Sequence, residues 1–248
     1  MEARKVSAGN GWEWIVSGFD LFRKNPGIWI VIMLIYFAIM LVLAIFSMIP
    51  LLGMLANIAI TLIAPVFLGG LMLGCRALEN GEELKIEHLF AGFQTKAGQL
   101  IAVGAIYLAV MMAITIVFVI IAVMTIGMGA AMASATDPTA AAASTLVTLL
   151  FVLVGFALMI PVMMAYIYAP LLVVLNDMNP IDAMKASFIA CLRNILPWLV
   201  YGIVTFVLAF IATLPLLLGW LVLWPVLNAA LYASYKDVFN IENTDQAV

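Results

Sequence analysis

Residues Asn25–Cys75, NPGIWIVIMLIYFAIMLVLAIFSMIPLLGMLANIAITLIAPVFLGGLMLGC, contain no Asp, Glu, Lys, Arg or His. A helix needs about 20 apolar residues to cross the roughly 30 Å of bilayer hydrocarbon. This run of 51 residues (25 through 75) therefore fits two crossings, joined at Ser47-Met48-Ile49-Pro50-Leu51-Leu52-Gly53, where the turn-forming residues gather. Three more uncharged stretches follow: Ala97–Thr136, Pro138–Asn176 and Asn194–Tyr235. The last fits two shorter spans around Leu214-Pro215-Leu216-Leu217-Leu218-Gly219. The middle two meet at an Ala-rich segment, Gly127–Ser144, which holds the turn pair Asp137-Pro138 and is expected as a loop. Each middle stretch then supplies one span. The expectation is an all-α polytopic membrane protein, one integral membrane domain over 1–248, with six transmembrane helices in three helical hairpins.

Composition agrees with that reading and closes off others. The chain is 67% hydrophobic and 9% charged, whereas soluble domains run near half and a quarter. Ten Lys and Arg against thirteen Asp and Glu leave no basic excess for nucleic acid. Two cysteines cannot staple a secreted module. The first apolar span starts near Ile28 and is too long for a signal-peptide core, so no cleavable leader is expected.

The basic residues set the orientation. Arg4, Lys5, Arg23 and Lys24 precede the first span; Arg76, Lys85 and Lys96 lie between spans two and three; Lys185 and Arg193 lie between four and five; Lys236 follows span six. Six crossings put all ten on one side. Both termini are thus expected in the cytoplasm.

Each hairpin is preceded by a segment read as a cytoplasmic interfacial amphipathic helix. In Trp12–Lys24, Glu13, Ser17, Asp20 and Lys24 recur at helical spacing, and Trp12, Ile15, Val16, Phe19 and Phe22 fill the other face. Such a helix lies in the headgroup plane, with Trp12 and Trp14 at the interface. Ile86, Leu89, Phe90 and Phe93 make a second stripe. Ile181, Met184, Phe188 and Cys191 make a third, opened by Asn179-Pro180.

The second span of each pair carries a Pro-Val step, at Pro65-Val66, Pro161-Val162 and Pro225-Val226. At an offset of 160, Leu71 falls on Leu231, Arg76 on Lys236, Asn80 on Asn240, and Gly70-x-x-x-Gly74 on Ala230-x-x-x-Ser234. Repeat units 12–75, 86–175 and 181–236 follow, all in one orientation because each holds two spans.

The predicted spans hold no ionisable residue, and such residues mark most intramembrane ion paths and catalytic sites. Asn57 and Asn228 are the candidate polar groups of the bundle interior, placed to hydrogen-bond across it. Trp12, Trp14, Arg23, Lys24, Lys96 and Arg193 are the candidate headgroup contacts, each cation worth about 1 kcal/mol near anionic lipid. His88, beside Glu87 and Glu83, has no companions at ligand spacing. Cys75 and Cys191 lack C-x-x-C spacing. No catalytic residue, metal site or cofactor is expected.

The run Gly11-Trp12-Glu13-Trp14, Leu21-Phe22-Arg23-Lys24-Asn25-Pro26-Gly27-Ile28-Trp29, with Leu71-Met72-Leu73-Gly74-Cys75-Arg76-Ala77-Leu78-Glu79 and His88-Leu89-Phe90-Ala91-Gly92-Phe93, resembles a family of proteobacterial six-span integral membrane proteins without an assigned activity. More distantly it is similar to YciC-type inner-membrane proteins and to the membrane domain of bacterial glycerophosphodiester phosphodiesterases. Their soluble hydrolase barrel has no counterpart here. The resemblance implies a bacterial inner-membrane location and brings no site residues with it. Three function classes stay open. The first is a non-enzymatic protein that contacts lipid, a second copy or a membrane-protein partner and supports envelope organisation. The others are a transporter or channel for a neutral or lipidic substrate, and an intramembrane enzyme.

Overall fold

A computed structural model describes residues 2–133 and 138–241, with side chains at 2–124, 146–147 and 149–241. Ten α-helices follow one another among these residues: α1 Asn10–Lys24, α2 Pro26–Phe46, α3 Pro50–Glu79, α4 Ala91–Thr95, α5 Ala97–Ala133, α6 Pro138–Ile167, α7 Ala169–Asn176, α8 Pro180–Arg193, α9 Ile195–Thr213 and α10 Trp220–Phe239. A 3-10 turn, Ile86–Phe90, precedes α4. No strand occurs among the described residues.

The helix starts follow local chemistry. Asn25 accepts the Ile28 N–H (3.4 Å) and Pro26 occupies the first position of α2. Asn179 accepts the Asp182 N–H (3.0 Å), with Pro180 opening α8. A side-chain acceptor satisfies an N–H that lacks an intrahelical partner, and proline there loses nothing.

The second stripe does not form one helix. It breaks into the 3-10 turn and the short α4. In the middle of the chain, the Ala-rich segment expected as a loop is largely helical: α5 runs to Ala133 and α6 starts at Pro138. Alanine has the highest helix propensity, and nothing in that run of small residues stops a helix. The turn read at Asp137 lies outside the described residues.

Among the described residues, five helical stretches are long and apolar enough to cross a membrane, at Pro26–Phe46, Pro50–Glu79, Ala97–Met124, Leu149–Asn176 and Ile195–Thr213. The expected sixth, α10, is not among them. Its 20 residues would span about 30 Å at 1.5 Å each, but it carries Asn228, Lys236 and Asp237 among its apolar residues. It packs against α1, α2, α3 and α9, and Val226, Ala229, Ala230, Ser234 and Val238 are buried. A helix wrapped by protein need not be as apolar as one facing lipid.

The three segments expected as interfacial helices pack on the Pro-Val helices. α1 lies on α10, the 3-10 turn and α4 lie on α3, and α8 lies on α6 and α7. Glycine permits two of these contacts. A Cβ on Gly18 would sit 2.6 Å from the Val226 carbonyl oxygen and 2.5 Å from the Ala230 nitrogen. One on Gly92 would collide with the Val66 carbonyl and lie 3.1 Å from the Gly70 nitrogen. Val66 and Gly70 are the positions that fall on Val226 and Ala230 at the 160-residue offset. In the third contact Ser187 takes the corresponding place by hydrogen bonding. Its Oγ donates to the Met164 carbonyl (2.6 Å) and accepts the Tyr168 N–H (2.9 Å), where α6 breaks before α7.

Candidate lipid-contacting site and bundle interior

The inward face of α1 is Gly11, Trp14, Ile15, Gly18 and Phe22, at spacings of three and four. Trp12, Val16 and Phe19 point outward, 53%, 41% and 44% exposed. The apolar side of α1 is therefore divided between the protein and its surroundings. Trp14 is a correction to the expected headgroup contacts: it is 2% exposed, its ring lies 5.6 Å from that of Trp198, and its N–H donates to Asp237 Oδ2 (2.8 Å). An indole with an internal acceptor and aromatic neighbours has no need of the interface.

Asp237 also accepts from Asn10 (2.7 Å) and pairs with Arg4 (2.5 Å). Beside it, Glu79 accepts from the Tyr232 hydroxyl (2.8 Å) and pairs with Lys236. These groups surround a polar pocket of about 270 Å³ whose walls include Glu13 and Ser17. The N-terminal residues are tied across this end of the molecule. Asn194, 1% exposed, accepts the Val6 N–H (2.9 Å) and donates to the Arg4 carbonyl (2.9 Å), while Arg193 donates to the Ala3 carbonyl (2.8 Å).

The expected headgroup cations divide in the same way. Lys24 donates to the Leu78 carbonyl (2.9 Å), Lys96 pairs with Asp177 (2.5 Å), and Arg193 holds Ala3. Lys24 and Arg193 are nonetheless exposed, and Arg23 is the most loosely held: its side chain is 67% exposed, paired with Asp20 at 3.7 Å and resting over the Phe19 ring.

Asn57 and Asn228 do not bond across the bundle. Each donates to the carbonyl four residues back on its own helix, Gly53 and Trp224, both at 2.8 Å. Asn57 is exposed, so its place in the interior is also corrected. A back-bond to the same helix satisfies the amide without a partner strand or helix. Asn228 does line a cavity, described below.

Among the described residues, apolar hollows also occur, and two of them are the larger. One, of about 400 Å³, is an outer groove between α1, α9 and α10, walled by Trp12, Val16, Phe19, Leu208, Ile211 and Val222 among others, with no charged residue. The other, of about 470 Å³, is an open cavity between α2, α3, α6, α9 and α10, called the central cavity below because five helices wall it. Tyr36, Phe67, Tyr166, Trp198, Tyr201 and Trp224 supply its aromatic lining, and Asn228 its amide.

His88 has a structural role, because its Nδ1 accepts the Lys85 N–H (2.9 Å) and so caps the 3-10 turn. Both cysteines are buried, and burial pushes the Cys191 thiol up to about 12, which keeps it protonated and unreactive. Among the described residues, no three His, Cys, Asp or Glu side chains are placed to hold a metal.

This arrangement matches a known family along nearly its whole length, since residues 13–240 fit the model described as Domain of unknown function (DUF7847). The chain belongs to the DUF7847 family. The match takes in α2 to α10 and α1 from Glu13 onward, and leaves Trp12 of the outer groove just outside it. The chain is also 27% identical, over 98% of its length and 95% of the other's, to a protein of Burkholderia thailandensis named "probable inner membrane protein". No solved structure matches it.

Among the described residues, Asn194, Ser187 and Ser234 are the buried polar residues, and Ser234 accepts the Tyr168 hydroxyl (3.1 Å). Two of them left a signal in the sequence: Ser187 as a polar residue inside the apolar stripe Met184, Phe188, Cys191 of α8, and Ser234 as the small residue that falls on Gly74 at the 160-residue offset.

Proposed function

We propose that this DUF7847 protein is a non-enzymatic, multi-pass protein of the bacterial inner membrane that works through lipid contact and supports envelope organisation. The observation that carries this reading is the outer groove beside Trp12. It is wide, free of charge and fronted by exposed aromatic residues, and exposed apolar surface of this kind marks interaction sites. Five apolar helices and the name of the Burkholderia relative support the location. In this reading α10 is the sixth crossing and both termini are cytoplasmic, because only an even number keeps all ten Lys and Arg on one side. The three segments packed on the Pro-Val helices support a threefold repeat. Partners are membrane lipids and, beyond them, a second copy or another membrane protein, with no role for nucleic acid. The distant likeness to YciC-type proteins fits this reading and rests on the quoted motifs.

The test is lipid retention. The protein is extracted into native-lipid discs and its bound lipid counted by mass spectrometry. Trp12→Ala with Phe19→Ala should lower the tightly held lipid per chain, and unchanged retention in a folded variant would overturn the proposal. The central cavity favours a second reading, a carrier for a neutral or lipidic substrate. Asn57 does not line that cavity, and the distinguishing result would be substrate flux in reconstituted vesicles.

A further inference from the structure

The central cavity has a chemistry that the outer groove lacks. Its 470 Å³ falls within the range of small-molecule sites, about 300–1,000 Å³. All of its wall residues come from α2, α3, α6, α9 and α10, and none is charged. Polar groups converge on it from four helices: Tyr36 from α2, Tyr166 from α6, Tyr201 and the Trp198 indole N–H from α9, and Asn228 from α10; the Trp198 N–H is buried without a partner among the described residues. Among the described residues, the Tyr36 and Tyr166 hydroxyls make no hydrogen bond. Asn228 uses one amide hydrogen on Trp224, which leaves the other hydrogen and the carbonyl oxygen.

A phenol inside a bilayer-spanning bundle has no bulk water to bond with, so an unmet O–H is costly unless a ligand meets it. Two phenol donors and an amide N–H call for acceptor oxygens. The absence of any Lys or Arg in the walls gives an anionic headgroup nothing to pair with, and desolvating its charge there is prohibitive. The aromatic walls suit a flat or flexible apolar body: Tyr36 stacks near Trp224 (6.4 Å between centroids) and meets Phe67 edge-on (5.8 Å).

We propose that the central cavity binds an uncharged amphiphile whose carbonyl oxygens accept hydrogen bonds from Tyr36, Tyr166 and Asn228. The inner membrane offers that chemistry in two forms, the ester carbonyls of a diacylglycerol and the ring carbonyls of an isoprenoid quinone. The inference extends the lipid-contact reading to a second site, and it does not depend on the groove beside Trp12.

Trp198 and Trp224 line the cavity, so their fluorescence reports on occupancy. The full chain in detergent micelles is titrated with three quenching probes: a short-chain ubiquinone analogue, a brominated diacylglycerol and a brominated phosphatidylglycerol. One of the two uncharged probes should quench saturably, and which one does so identifies the source. The anionic probe should bind at least tenfold more weakly. Tyr36→Phe with Tyr166→Phe keeps the shape and removes two donors. It should weaken the uncharged probe about thirtyfold, as the loss of two hydrogen bonds allows. Ala64→Phe, which fills the cavity, should abolish saturable quenching and serves as the second variant if the first fails to fold. Equal binding of the anionic probe, no saturation with either uncharged probe, or unchanged affinity in a folded variant would overturn the inference. Loss of cavity binding with lipid still retained at Trp12 would sink this inference alone.

Discussion

Where α1, α3 and α10 meet, Asp237 holds Trp14, Asn10 and Arg4, and Glu79 holds Tyr232 and Lys236. Between α2 and α3, at the start of α3 and between α9 and α10, the chain exposes Met48 (83%), Leu51 (78%) and Leu216 (89%), and no charged residue lies between Asn25 and Cys75 or between Asn194 and Tyr235. The first region is held as a soluble protein is, by buried side chains and internal hydrogen bonds. The second has little interior of its own. Its apolar surface is stable only if the bilayer replaces the missing protein, so changes in the two regions should differ in size and in their dependence on lipid.

The largest effect is expected at Gly92. A side chain there meets the backbone of α3 at Val66 and Gly70, and backbone cannot step aside. Gly92→Leu should cost more than about 3 kcal/mol and prevent recovery of a monodisperse protein, because overpacking of this kind forces helices apart. Gly98 is the control. Nothing lies within 4 Å of its would-be Cβ, so Gly98→Ala should shift thermal unfolding little. Equal damage from both would contradict the close packing of α4 on α3.

Asn194→Leu should rank next. It orphans the Val6 N–H and the Arg4 carbonyl in a nearly sealed place, at about 2–3 kcal/mol. Residues 3–9 should then become open to limited proteolysis while the rest of the chain stays protected. Protection equal to that of the parent protein would show that Asn194 does not hold them.

The smallest effect belongs to the lipid-facing side. Ile120, 54% exposed on α5, should tolerate Ala within about 0.5 kcal/mol, as exposed positions generally do. Unfolding measured in detergent and in lipid discs checks this. A large loss would mean that Ile120 packs against another molecule, such as a second copy.

The same division explains what could be read from the residues alone. The lipid-facing helices follow from a single variable, the length of an uncharged run, and α2, α3 and α9 begin and end within a few residues of the positions so derived. At α10 the uncharged run stops at Tyr235 while the helix continues through Lys236 and Asp237, so length and hydropathy alone do not place it among the crossings. Hydropathy also misplaced Trp14, since an indole at a membrane interface and an indole inside a polar cluster carry the same letter and the same spacing. Asn57 and Asn228 looked like a cross-bundle pair because both are amides within apolar helices. Nothing local distinguishes an amide that reaches across from one that bonds four residues back.

The central claim is that the charged end lies on one side of the membrane and that α10 carries the chain back to it. The direct measurement is a pair of reporters, a green fluorescent protein that matures only in the cytoplasm and a phosphatase active only outside it. Each is fused in separate chains before Met1 and after Val248. Fluorescence without phosphatase activity at both ends is the expected result. Fluorescence at one end and phosphatase activity at the other would mean an odd number of crossings, leaving α10 outside the set of spanning helices.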